Sequence, residues 1–482
     1  MTKSERQEIC INKWKNNLGR GTLNLIMRFG KTRVAQLISE RCNYKVPDCK
    51  IIIIVPNDIT LQNAKQNMVV NENTKVYTFN SYLNHIKESG NHDECYLLII
   101  DEVHKLLNLD LYNHIALIKS KFMLALTGAV LSKIDNSKLN ALNCPVIDYI
   151  GENEALKEKW IADYREYNLA VELDENEKER YAKFTELISE SLSAFNGVQN
   201  RINTTLGVKL FDSPFALLLS CFVGKTYKDK NGRTNFIKPT VLRNMCADLQ
   251  GWNKDLDMTV EYNQQLDKYW NPDNIYERAK IFKSYIKSRN DILIHNRAKK
   301  DCVIKLLDRF NLPTICFNES IAMVDELADH YPTDGIPYHS AIESRYVINK
   351  ETGDYYRTLK GEPKTFGKIG LKKLAIEGMK NGDYKYLFTA KSLVEGTTIE
   401  NIEMIITTGG STNPNTHDQK VARGKTYDYA NPNKVCIIVN LYIDDFKIDD
   451  KEVLSQDKKK LIMRQSQSQI MPIWVQNIEQ IE

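Results

Sequence analysis

Hydrophobic and polar positions in the first 150 residues follow two alternating periods. Short apolar runs at Leu23–Met27, Ile51–Val55, Leu97–Ile100 and Phe122–Leu126, bounded by polar text, read as strands buried on both faces. Lys75–Thr78 and Pro145–Tyr149 complete the set. Between them, apolar residues at helical spacing predict helices over about 33–42, 59–68, 79–88 and 110–119. Strands alternating with helices predict an α/β domain built on a parallel sheet.

The pattern changes over 151–290. Acid-rich text from Glu172 to Arg180 leads into Phe184, Leu187, Ile188 and Leu192 at helical spacing. This predicts a mainly helical insert in which Trp252 and Trp270 pack, serving as a spacer or as a nucleic-acid clamp or partner site. From about 291 the first rhythm returns, with strands at Thr314–Phe317, Pro337–Tyr338, Tyr386–Thr389, Met404–Thr407 and Val435–Leu441, and a helix at Ile321–His330. Two β-like arms in Val347–Leu359 flank Glu351-Thr352-Gly353-Asp354, a hairpin signal. Lys360, Lys364, Lys368, Lys372 and Lys373 follow, so this segment is either a solvated loop or a hairpin that contacts a nucleic-acid backbone and separates strands. The division is thus 1–150, 151–290 and 291–482, two parallel-sheet α/β halves around a largely helical insert. The repetition suggests duplicated nucleotide-binding folds.

With 482 residues the chain exceeds one ordinary core. Its 42% hydrophobic and 27% charged content is that of a globular protein. The longest apolar runs, Ile51–Val55, Phe215–Leu219 and Tyr96–Ile100, fall far short of a membrane span, and the start MTKSERQE is not a signal peptide. Ten cysteines scattered without a CxxC pair suit reduced thiols in the cytoplasm better than a zinc site. A net charge of +4, from 66 basic and 62 acidic residues, excludes a polybasic coat and leaves nucleic-acid binding to local patches. Richness in Asn, Lys and Ile suits an AT-rich genome such as that of a bacteriophage, whose protein would work in the host cytoplasm.

Two segments carry candidate chemistry. The run Leu97–Ile100 ends on Asp101-Glu102-Val103-His104, and buried charges are costly, so both carboxylates are expected at the open carboxyl edge of a sheet. Upstream, Thr22–Met27 enters Arg28-Phe29-Gly30-Lys31-Thr32-Arg33, with Val34, Leu37 and Ile38 at helical spacing behind. Phosphate binding uses this order: backbone N–H groups face the anion, lysine neutralises it and threonine holds Mg²⁺. The strict pattern has a glycine where Leu25 stands. Two further Gly-Lys-Thr triplets, at 224–226 and 424–426, lead into loop-like text and read as coincidences. Together the two segments form a set for nucleoside triphosphate hydrolysis, with Lys31 on phosphate, Thr32 and Asp101 on the metal and Glu102 on the attacking water.

This motif order resembles the superfamily 2 helicases of the DExH type, most of all the compact enzymes of bacteriophages and large DNA viruses, across both α/β halves. The resemblance implies two RecA-like domains binding ATP and Mg²⁺. It implies nucleotide contacts for Gln7, Arg28, Phe29, Gly30, Lys31, Thr32, Arg33 and Gly396, with Gln7 reading adenine. Val55-Pro56-Asn57 with Leu61, and Thr78-Phe79-Asn80-Ser81, fall where the family holds nucleic-acid phosphates. Leu126-Thr127-Gly128-Ala129 resembles the motif that couples hydrolysis to movement, with Ala129 in place of a second hydroxyl and His104 in the same relay. Cys316–Ser320 and Tyr338-His339-Ser340 resemble strand-gripping segments. Thr389 with Glu395-Gly396-Thr397-Thr398-Ile399 resembles the fifth motif, with Thr398 where an aspartate is common. Gln419–Thr426 resembles the sixth: Gln419 and Arg423 are implied at the γ-phosphate, Thr426 replaces a second arginine, and Lys425 lacks the planar fork to substitute.

The reading that follows is a nucleic-acid-dependent ATPase, a DNA helicase or translocase, with DNA favoured over RNA and with replication, recombination or repair proteins as partners. No membrane partner is expected. The alternatives are an RNA helicase, a duplex translocase of the remodelling or restriction type, and a scaffold whose motor has decayed, the last suggested by Leu25, Ala129, Thr398 and Thr426.

Overall fold

The computed structural model describes the chain except residues 108, 229–233, 253–269, 350–351, 359, 391–398, 400, 410–413, 429–430 and 466–469. The first six strands form one parallel sheet: β1 (Arg20–Leu25), β2 (Ile51–Val55), β3 (Thr74–Thr78), β4 (Glu94–Ile100), β5 (Lys119–Thr127) and β6 (Val146–Ile150). Their order is β3-β2-β4-β5-β1-β6. Each lies where the apolar runs predict a strand. All five side chains of β2 are buried, as a central parallel strand covered on both faces requires.

The helices Lys31–Lys45, Asp58–Asn67 and Phe79–Ser89 form the crossovers. The helix predicted over 110–119 is only Leu111–Ile115, because β5 begins at Lys119. Apolar cores lie on both sides of the sheet, one around Leu23, Ile53 and Ile99 and the other around Ile52, Ile100 and Ala125.

The chain continues through β7 (Asp163–Val171) into the insert, whose helices include Glu175–Ser193, Pro214–Val223 and Pro272–Ile294. There β8 (Lys225–Lys228) pairs antiparallel with β9 (Thr234–Ile237), so the text after Gly224, read as a loop, begins as a strand. A second set follows: β10 (Thr314–Asn318), β11 (Gly335–Tyr338), the short β12 (Arg345–Tyr346) and β13 (Thr365–Phe366), β14 (Tyr386–Ala390), β15 (Met404–Thr407) and β16 (Val435–Ile443). The hairpin β17 (Phe446–Ile448) and β18 (Lys451–Val453), then β19 (Ile473–Val475), end the series. The second sheet runs β11-β14-β10-β15-β16-β7-β19. The fold class is therefore two parallel-sheet α/β domains with a largely helical insert, as expected.

One strand departs from that reading. Residues 163–171, assigned from sequence to the start of the insert, form a strand of the second sheet, parallel to β16 from Asp163–Val435 to Val171–Ile443. Buried Glu166 and Asn168 break its apolar pattern. Both are hydrogen-bonded by Asn440 of β16, so a polar strand is stable at this position.

The chain forms two compact units. One comprises Met1–Val171, Ala298–Asp444 and Gln456–Glu482, and thus both sheets; the other comprises Glu172–Arg297 and Asp445–Ser455. The second has its own core around Phe195, Phe211, Leu217 and Phe282, with Trp252 and Trp270 packed against it. Among the described residues no helix is long and apolar enough to cross a membrane.

Candidate active site

The loop after β1 is held from below by the first helix, Lys3–Asn16. Arg6 of that helix forks onto Asp148 of β6, with bonds of 2.6 and 3.0 Å, and both side chains are buried. The anchored helix aims Lys3 Nζ at the Arg28 carbonyl (2.6 Å) and Gln7 Nε2 at the Phe29 carbonyl (3.1 Å). Phe29 is fully buried, edge-on to Trp160. Gly30 then turns the chain at φ 99°, a left-handed conformation that favours glycine, and helix Lys31–Lys45 begins. A Cβ on Gly30 would stand 2.7 Å from Gln7 Nε2, so Gln7 packs directly on the turn. In this structure Gln7 supports the loop backbone.

β4 delivers the carboxylates. Asp101 N–H bonds Ile54 O at 2.9 Å, and Asp101 Oδ1 accepts the Glu102 N–H at 3.0 Å. Glu102 lies at φ 48°, left-handed for a residue with a side chain, a strained conformation of the kind that clusters at functional sites. This turn directs its carboxylate to Lys31, with Nζ 2.6 Å from Oε1. The strands carrying the two residues are not neighbours; β5 lies between β1 and β4.

The remaining carboxylate oxygen, Glu102 Oε2, is buried with no hydrogen bond among the described residues, 3.4 Å from His104 Nδ1. The same ring nitrogen lies 3.0 Å from Thr127 Oγ1, which accepts the Ala129 N–H at 3.1 Å. Lys31, Glu102, His104 and Thr127 thus form a continuous chain. Asn24 Nδ2 donates to the Ala129 carbonyl at 3.1 Å, so Ala129 takes part through its backbone although it lacks a hydroxyl. Gly128 is the close approach: a Cβ there would stand 2.8 Å from Leu25 O and 3.1 Å from Lys31 Nζ.

Burial pushes the Asp101 carboxyl up to about 6, with the Glu102 charge adding to the effect. Burial acts the same way on Glu102, but Lys31 and His104 outweigh it and hold that carboxyl below its ordinary range. Burial disfavours the Lys31 charge, yet Glu102 and Asp101 outweigh it and keep the ammonium charged. His104 is pushed down to about 4 by burial and is neutral near pH 7. Asp101 could hold a metal together with Thr32, which is exposed on the first turn of helix Lys31–Lys45.

The sixth-motif segment reaches the same loop. Arg28 Nε donates to the Ala422 carbonyl at 3.0 Å, and Arg423 is buried with Arg28 beside it. Burial first, and then the Arg28 charge, pushes the Arg423 guanidinium down to about 9. Two neighbouring guanidiniums repel, and an anion between them would relieve the repulsion. No relative in the curated proteins and no protein-family description matches this chain. Among solved structures it is similar to the Hef helicase domain of Pyrococcus furiosus, at 14% identity and a TM-score of 0.46, over 91% of this chain and 94% of that one.

The other motif residues have local duties. Asn57 and Thr78 cap their helices reciprocally with Thr60 and Ser81, so these polar side chains are engaged in capping. His339 is buried, its Nε2 3.1 Å from Asp325. Arg33 is exposed, its amide bonded to the Gly30 carbonyl, and Gln419 is half-buried on helix Pro414–Val421. Gly396, with Glu395, Thr397 and Thr398, lies outside the described residues.

The other glycines of the Gly-Lys-Thr triplets are structural: Gly424 packs against Cys436, and Gly224 caps helix Pro214–Val223 against Phe236. Lys425 donates to Glu152 Oε1 at 2.6 Å and covers the Tyr164 ring. Sequence reasoning passed over one buried polar cluster. Glu166 Oε1 accepts from His417 Nε2 (2.9 Å) and Asn440 Nδ2 (2.7 Å), and Arg464 Nη1 donates to His417 Nδ1 (3.0 Å). Arginine only donates, so the His417 proton sits on Nε2, toward Glu166. A cavity of about 480 Å³ opens beside this cluster, lined by Asn24, Gly128, Glu152, Asp418, Lys425 and Arg464 among others, with neither Lys31 nor Glu102 in its wall. Nothing local in the sequence marks this cluster, because its members come from four separate segments.

Proposed function

We propose that this chain is an ATP-dependent nucleic-acid motor of the superfamily 2 DExH helicase type, of the compact phage and large-virus kind that its motif order resembles, acting on DNA. One observation carries the proposal: Lys31, behind a glycine turn that opens a helix, lies 2.6 Å from Glu102, which follows a half-buried aspartate at a strand end. A lysine for phosphate, an aspartate for metal and a second carboxylate for water are the parts that triphosphate hydrolysis uses.

In this reading Lys31 leaves Glu102 for the β/γ-phosphates as ATP binds, and the backbone amides of Gly30, Lys31 and Thr32 face them. The released Glu102 orients the attacking water and accepts its proton. Thr32 and Asp101 would hold Mg²⁺, which supplies charge neutralisation on the phosphates. Arg423, steadied by the bond from Arg28 to its neighbour Ala422, would stabilise the charge that develops on the transferred group. The chain through His104 and Thr127 to Ala129 gives a route by which the state of Glu102 is felt at the β5 loop.

The test is ATP hydrolysis with and without single-stranded DNA, duplex DNA, forked DNA and RNA, in the wild type and in Lys31→Ala. The proposal expects stimulated hydrolysis that the substitution abolishes. Equal rates in the two proteins would refute it. Stronger stimulation by RNA than by DNA would move the substrate assignment to RNA.

A further inference from the structure

Residues 345–373 contain eight Lys and Arg against three Asp and Glu, a net +5, whereas the whole chain carries +4. The rest of the protein therefore sums to −1, and its formal positive excess lies in this one segment. The segment is a folded arm. β12 and β13 pair Arg345 with Phe366 and Tyr346 with Thr365, and bridges at Ile348–Tyr355 and Arg357–Pro363 continue the pairing. The hairpin legible in the sequence thus extends to Phe366.

One side of the arm is anchored. Val347 is buried in the core of the second sheet, with Tyr356 and Phe366 packed against it, and Arg345 pairs with Asp325 and Asp329. The other side presents two tyrosines, Tyr346 at 54% exposure and Tyr355 at 45%, with ring centroids 5.5 Å apart and planes tilted by 52°. Lys360, Lys364 and Lys368 are exposed on the arm and at its end, Lys364 over the Phe366 ring at 4.7 Å. The arm runs into helix Lys368–Asn381, whose first turn holds no acidic residue. Lys368 instead opens that turn, where the helix dipole opposes a cation, and Lys372 and Lys373 follow in the second turn. Lys372 covers the Tyr338 ring at 5.0 Å and Lys373 pairs with Glu377 at 3.8 Å, which leaves Lys368 as the cation that an anion along the arm would stabilise.

We propose that this arm is a binding site for single-stranded nucleic acid, with Tyr346 and Tyr355 stacking on bases while Lys360, Lys364 and Lys368 hold the phosphates. Exposed aromatic faces interleaved with cations suit a strand whose bases are unpaired, because a duplex offers its phosphates but not its base faces. The choice of nucleic acid over an acidic peptide rests on the motor reading above.

The experiment measures binding of a fluorescein-labelled thymidine oligonucleotide to the full-length protein by anisotropy across a salt series, with its adenine-paired duplex alongside. Tyr346→Ala with Tyr355→Ala should weaken single-strand binding roughly five-fold or more, the lower range of base–aromatic stacking, and leave duplex binding unchanged. Tyr346→Phe with Tyr355→Phe keeps the rings and should retain affinity, which separates stacking from damage to the fold. Lys360→Ala with Lys364→Ala should lower the salt slope by about 0.7 per lost phosphate contact. Unchanged affinity and slope in both Ala pairs, or equal losses on single strand and duplex, would overturn the proposal. A failed motor reading would show as hydrolysis indifferent to Lys31, a result separate from these binding measurements.

Discussion

Lys31 and Glu102 neutralise each other across 2.6 Å, so the cation proposed for phosphate and the carboxylate proposed for water are paired with each other. Their side chains are 13% and 16% exposed, which makes the pair costly to break from one side. Lys31→Met leaves a carboxylate without its cation and should lower stability by about 3 kcal/mol in urea unfolding. Adding Glu102→Gln should recover part of that loss. A double variant no more stable than Lys31→Met would show that the two residues are not coupled.

Gly128 allows the β5 loop to approach Lys31. In Gly128→Ala the new methyl would press on the Leu25 carbonyl and Lys31 Nζ. The expected result is a loss of about 1–3 kcal/mol in stability together with weaker ATP binding, read by calorimetry. Wild-type values for both would mean that the loop shifts freely.

Arg423 is the proposed transition-state cation. Arg423→Ala should reduce kcat for ATP by roughly 10³-fold or more while changing nucleotide affinity little, as for other residues that act on developing charge. Arg423→Lys should recover little of the rate, because an ammonium cannot reproduce the planar fork. Full activity in either variant would remove Arg423 from the site.

His417 gives a pH signature. Burial pushes it down to about 4 from an ordinary 6.5, against the pull of Glu166. Between those values the unfolded chain binds more protons than the folded one, so stability is full above 6.5 and is lost as pH falls toward 4. The loss should be about 1 kcal/mol for each pH unit inside the window. Asp418 acts in the opposite sense: burial pushes its carboxyl up to about 6, so its contribution falls as pH rises from its ordinary 3.8 to that value. In His417→Gln the Asp418 contribution remains and the His417 contribution disappears. The difference in melting temperature between variant and wild type should therefore change with pH below 6.5 and be constant above it. A constant offset throughout would show that His417 does not titrate in this way.

Much of the fold was legible before any coordinates. The strand at Ile51–Val55 and the helix at Ile321–His330 match their predicted spans, because a buried apolar run and a helical stripe are local signals. Lys31, Asp101 and Glu102 were legible as chemistry for a related reason: each follows an apolar strand that has to end at a sheet edge. β7 was not, because its buried Glu166 and Asn168 look like surface residues until Asn440, His417 and Arg464 are placed around them. The support of Arg28 and Phe29 by Lys3 and Gln7 was likewise hidden, since a carbonyl has no sequence signature.

By itself, then, the sequence determined most of the order of strands and helices and the two-sheet class, readable from local spacing, and it singled out Lys31, Asp101 and Glu102 as candidates for phosphate chemistry. Only the tertiary structure decided that Lys31 pairs with Glu102, that Arg28 reaches Ala422 beside Arg423, and that β7 completes the second sheet. The reason is the energetics of buried polar groups. Each is stable only with its partner in place, and these partners lie tens to hundreds of residues away.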